Sequence, residues 1–127
     1  MVEYKTLGKL DTRPLKNEFG DLQTDEIIVT NERLDHIKTH HADDYVYFKK
    51  YGTDAVLSPN EIIKDLKNDG TVFMIKYLPD TNLNVVVKLA LNPDKIGWKN
   101  SVMTSFRIRE RNLRKLRAKN KVLYNKE

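Results

Sequence analysis

The 127-residue chain has no cysteine, one tryptophan, four prolines and five glycines. Without cysteine there are no disulfides, no thiolate nucleophile and no Cys-ligated zinc, which agrees with a reducing compartment. No apolar run approaches the roughly 20 residues of a membrane span. The segment Met1-Val2-Glu3-Tyr4-Lys5-Thr6-Leu7-Gly8 has no secretory hydrophobic core. The expectation is a soluble, untargeted chain with no membrane partner. Internal repeats, low-complexity tracts and an evident linker are also missing.

Hydrophobic content of 39% with 9% aromatics suits a folded chain, and the length predicts one domain over residues 1–127. The net charge is +5, unevenly spread. From Arg107 to Glu127 nine Lys or Arg face only Glu110 and Glu127, whereas residues 1–106 carry fourteen basic and sixteen acidic groups. A basic end on an otherwise near-neutral chain favours anionic partners. The three histidines, His36, His40 and His41, fall within six residues.

Residues 1–25 are broken by Gly8, Pro14 and Gly20 and permit short strands or an ordered N-terminal arm ahead of a core over 26–127. Ile27-Ile28-Val29 is a β-branched run. Thr30 or Asn31 can cap a helix whose Leu34 and Ile37 share a face. A second helix is expected over 42–51, with Gly52 as its C-terminal residue. Ser58-Pro59-Asn60-Glu61 has the form of a capping box and predicts a third helix through Ile62, Ile63 and Leu66, ending near Gly70. Thr71–Leu78 and Leu83–Leu91 read as a hairpin about Pro79–Asn82, and Asn100–Ile108 as a further long strand. Arg109–Lys121 reads as a short basic helix carrying Leu113 and Leu116. The pattern is α+β, with helices first and strands later.

Imidazole both takes and gives protons near neutral pH. His36 and His40 lie one turn apart on the expected helix, while His41 would point about 100° away from His40. Two other readings stand beside acid/base chemistry. One is a merely solvated helix surface. The other is a zinc site made by His36, His40 and Asp43 or Asp44, although Ile37 breaks the His-Glu-x-x-His pattern and no remote His or Cys completes the site.

The succession of Thr30–His41, Ser58–Ile63, the Lys88-bearing hairpin, Asn100–Phe106 and Lys121–Tyr124 resembles the phage-associated barnase/EndoU/colicin/RelE-like nuclease domains, over roughly residues 25–126. The resemblance implies N-terminal helices packed on an antiparallel sheet of about four strands. It also implies metal-independent ribonuclease activity without a cofactor, and RNA as partner. Further partners of that class are an inhibitor or immunity protein or a phage structural protein, and the location is the host bacterial cytoplasm or the phage.

Such cleavage needs a base for the ribose 2′-OH, an acid for the leaving 5′-oxygen and donors for the charged phosphorane. His36 is the first acid/base candidate and His40 the second. Lys88, on a strand face with Val86 and Ala90, is the candidate phosphorane cation, or else a surface lysine whose stem covers apolar area. Thr104 and Ser105 are the candidate strand hydroxyls. They point to opposite faces, with Val102, Thr104 and Phe106 on one side. Arg107, Arg109, Arg114, Lys115 and Arg117 are candidate phosphate ligands, with Tyr124 stacking on a base or anchoring the core. The rival from another class is a non-catalytic RNA-binding or phage structural module, in which the basic end matters and His36 does not.

Overall fold

The computed structural model describes residues 3–94 and 96–126. Their elements are β1 (Tyr4–Lys9), α1 (Arg13–Phe19), β2 (Glu26–Thr30), α2 (Asn31–His40), α3 (Ala42–Leu57), β3 (Glu61–Lys64), β4 (Thr71–Tyr77), β5 (Asn82–Lys88), β6 (Asn100–Ile108), α4 (Glu110–Lys119) and β7 (Lys121–Asn125). The fold is α+β, but its sheet has seven strands, not about four, in the order β1-β2-β6-β5-β4-β3-β7. It is mixed rather than antiparallel, because β2 runs parallel to β6 while the other neighbours are antiparallel.

The sheet is covered on both faces. On the first, Ile37 of α2 and Phe48, Ala55 and Val56 of α3 pack with Val72, Met74, Leu83, Val85, Val87 and Val102. On the second, Leu113 and Leu116 of α4 pack with Ile63, Phe73, Ile75 and Ile108. Burial on both sides explains why β4 reads as an almost continuous apolar run. Removing side chains of this size from water stabilises by about 1.5–3 kcal/mol each.

Two sequence expectations are corrected. Ser58-Pro59-Asn60-Glu61 starts no helix. Ser58 caps the C-terminus of α3, and Glu61-Ile62-Ile63-Lys64 is a strand paired on both sides, with β4 and with β7. The β-branched pair alternates between the two cores, and Leu66, which a helix would have buried, is 58% exposed. Second, Gly52 does not stop α3, which continues to Leu57. A Cβ at position 52 would lie 2.6 Å from the Phe48 ring, so the glycine answers to that close approach and not to a turn. Of the short strands or ordered arm left open for residues 1–25, residues 4–9 form an edge strand hydrogen-bonded to β2. Among the described residues no helix is long and apolar enough to cross a membrane.

Candidate active site at the free edge of β6

The pairing of β2 with β6 covers only Asn100 and Ser101. Beyond it β2 turns into α2, which flanks the rest of β6. Thr30 caps α2, its hydroxyl accepting from the Arg33 N–H at 3.2 Å. Burial of Ile37 fixes the helix rotation. His36 and His40 then stack with ring centroids 4.5 Å apart, as i, i+4 neighbours should.

α2 ends at His40, and His41 (φ −136°, ψ 53°) is the break before α3. The expected 100° separation of His40 and His41 therefore does not apply. The His41 ring lies edge-on to His36 at 6.1 Å and 5.7 Å from the ring of Phe106. Its Nδ1 is 3.9 Å from Asp44 Oδ2. Partial burial, then the charges of His40, Arg33 and His41, hold the His36 imidazole below its ordinary pKa, which favours the neutral, proton-accepting form.

Register decides which hydroxyl joins this edge. A bulge in β6 sets Thr104 opposite Val86 but Val102 opposite Val87, so Val102 faces the first core while Thr104 and Phe106 face the other way. Simple alternation had put Val102 with Thr104. The second face of β5 and β6 thus carries Asn84, Val86, Lys88, Ser101, Thr104 and Phe106. Among the described residues, Thr104 Oγ1 and Asn84 Oδ1 are the buried side-chain atoms without a hydrogen-bond partner. Ser105 faces the first core, fully buried, and donates to the Asn84 carbonyl at 3.0 Å.

Lys88 pairs with Ser101 and lies two residues along β5 from Val86, the partner of Thr104. Its ammonium donates to the Asp69 carbonyl, against Gly70. Gly70 has φ +73°, and a Cβ there would come within 2.7 Å of Lys88 Nζ.

Arg107 leaves β6 on the helical side. Its Nε donates to Asp44 Oδ1 at 2.6 Å and its guanidinium lies 4.8 Å above the Tyr47 ring. Hydrogen bonding to Asp44 pushes the Arg107 pKa up. Arg107, Arg109, Asp44 and Thr81 line a cavity of about 310 Å³.

The other cations divide. Arg117 turns inward to Glu61 and Glu110, while Arg111, Arg114, Lys115 and Lys119 are exposed on the outer side of α4. The basic helix is therefore one-sided and not encircled by charge. Tyr124 packs against the first core, at the far edge of the sheet from β6; four strand spacings amount to roughly 19 Å.

The structure thus sets His36 beside His40 and His41, and His41 beside Phe106 and, through Asp44, Arg107, with Arg109 in the cavity that Arg107 lines and Thr104 two residues from Phe106 on its face. It does not bring in Ser105, Arg117, Tyr124 or the charged end of Lys88. From the sequence Asp44 reads only as a metal ligand, His41 falls behind His36 and His40, and Phe106 and Asn84 carry no signal. A signal was present for Asp44, three residues after His41 at a helix start. Among the described residues, no three His, Asp or Glu side chains are placed to hold one metal ion.

No curated protein and no solved structure matches the chain. Residues 3–125 match the family described as phage-Barnase-EndoU-ColicinE5/D-RelE like nuclease2, and the chain belongs to that nuclease family.

Proposed function

We propose that this nuclease is a metal-independent endoribonuclease that cleaves RNA by transesterification. The observation that supports it most is the gathering of three imidazoles, with the His41 ring against Phe106, on the strand that also presents Thr104. In this reading neutral His36 removes the ribose 2′-OH proton and the 2′-oxygen attacks phosphorus. A protonated His40 or His41 delivers a proton to the departing 5′-oxygen, leaving a 2′,3′-cyclic phosphate and a free 5′-hydroxyl. Arg109 and Arg107 supply positive charge near the phosphorane, and Thr104 a hydroxyl donor. The outer cations of α4 draw in the phosphate backbone.

The test is cleavage of a labelled RNA by purified protein in EDTA, with end-group analysis. Cleavage that survives chelation, yields cyclic phosphate and spares the 2′-deoxy substrate supports the reading. Activity that EDTA abolishes and zinc alone restores would overturn it and leave a His36/His40 zinc site as the leading account.

A further inference from the structure

We propose that Asp44 is a positioning residue that joins Arg107 to His41 and selects the tautomer of the His41 ring. This rests on the acid/base reading of the histidine cluster. Asp44 occupies the first turn of α3, where any carboxylate gains from the helix N-terminus. That general benefit leaves its particular contacts unexplained. Oδ1 accepts from both the backbone N–H of Arg107 at 3.1 Å and its Nε at 2.6 Å, while Oδ2 faces His41 Nδ1 at 3.9 Å. Only 18% of the Asp44 side chain is exposed, so little water competes for these oxygens.

One carboxylate thus ties the end of β6 to the break between α2 and α3. At 3.9 Å the contact is an electrostatic one and not a hydrogen bond; the negative charge beside Nδ1 favours the proton on that nitrogen and leaves Nε2, on the opposite edge, free to exchange a proton with substrate. The groups around His41 are His36 on α2, Asp44 on α3, and Phe106 and, through Asp44, Arg107 on β6. Asp44 supplies the negative charge facing its Nδ1.

Asp44→Asn tests this in the full chain. The carboxamide oxygen can still accept from Arg107, though without the ionic charge, while an NH2 replaces the oxygen facing His41 and reverses the polarity of that contact. Nitrogen-15 NMR of the imidazoles, without RNA, should show the neutral His41 ring as the Nδ1–H tautomer in the wild type. In Asp44→Asn it should shift toward Nε2–H, with His36 and His40 unchanged. An identical His41 tautomer in both proteins would overturn the proposal.

In cleavage assays Asp44→Asn should lower kcat about 10-fold or more with KM within about twofold, and Asp44→Glu should recover part of the loss. A lower melting temperature with unchanged kcat would reduce Asp44 to a structural contact and overturn the positioning role. If the wild type cleaves no RNA, the acid/base reading fails, and the NMR comparison still decides the relation between Asp44 and His41.

Discussion

Arg117 grips Glu61 with two prongs: Nε donates to one carboxylate oxygen at 2.7 Å and Nη2 to the other at 2.6 Å, with the Glu61 side chain fully buried. Tyr77 donates its hydroxyl to the same carboxylate. Burial works to raise the Glu61 pKa, yet the hydrogen bonds of Arg117 and Tyr77 outweigh it and hold the carboxyl below its ordinary value. Burial and the Glu61 bond push the Tyr77 phenol up to about 12. This arrangement fastens α4 to the sheet, so Arg117 belongs to the fold.

Arg117→Leu should therefore cost about 3 kcal/mol in denaturant unfolding, since it strands a buried carboxylate. The double change with Glu61→Leu should recover most of that loss, because the two side chains then fill the space without a charge. Equal instability of the single and double variants would contradict the pairing. Acid should weaken the wild type too. The folded values of Glu61 and Glu18 lie below 4.5, that of Glu18 at about 2 through its bonds to Lys121 and Lys64. Their contribution is complete above pH 4.5 and is lost as pH falls through the folded values.

His36→Ala should lower turnover by about 10²–10⁴ while RNA affinity stays near wild type. Arg111→Glu with Arg114→Glu should do the reverse, weakening binding and flattening its salt dependence. In the pH profile of kcat/KM, the rising limb attributed to His36 should have its midpoint below 6.5, because the folded state depresses that pKa. Losing the base by protonation stops cleavage, so the rate falls as pH drops through this value. The limb should vanish in His36→Ala.

The adjacent hydroxyls of β6 should part company. Thr104→Val removes a buried hydroxyl without a partner, so stability should hold or rise by about 1 kcal/mol while cleavage falls. Ser105→Ala loses the bond to the Asn84 carbonyl, costing about 1 kcal/mol, with cleavage intact. Thermal melts and initial rates on both variants are the check. Full activity in Thr104→Val would remove that hydroxyl from the site.

Lys88→Met should cost about 1 kcal/mol, through the lost bond to the Asp69 carbonyl. A lysine neutralising the phosphorane would lower the rate by about 10² or more when removed. With its ammonium held at the 69–70 loop, a far smaller effect on initial rate is expected. Lys76→Met should also destabilise, since Lys76 binds Asp54 and the Ser58 carbonyl at 2.9 Å each.

By itself the sequence determined the local elements whose signals are short-range: the Thr30 cap, the 3.6-residue spacing of Leu34 and Ile37, the turn between β4 and β5, the β6 run and the basic helix. Proximity of the histidines was legible for the same reason, since one turn of helix brings His36 beside His40. Tertiary structure decided what depends on distant partners. Glu61 reads as a capping residue until Arg117, 56 residues on, claims its carboxylate. β1 is too exposed to show an alternating stripe. Whether Lys88 and Arg117 serve substrate or fold was undecided until the carbonyl and carboxylate they meet were placed. A bulge, invisible in composition, turned Thr104 away from Val102. A single break at His41 brought its ring to Phe106 and Asp44 to Arg107. Side-chain period follows from neighbouring residues alone, whereas a buried charge takes its role from whichever residue the folded chain sets against it.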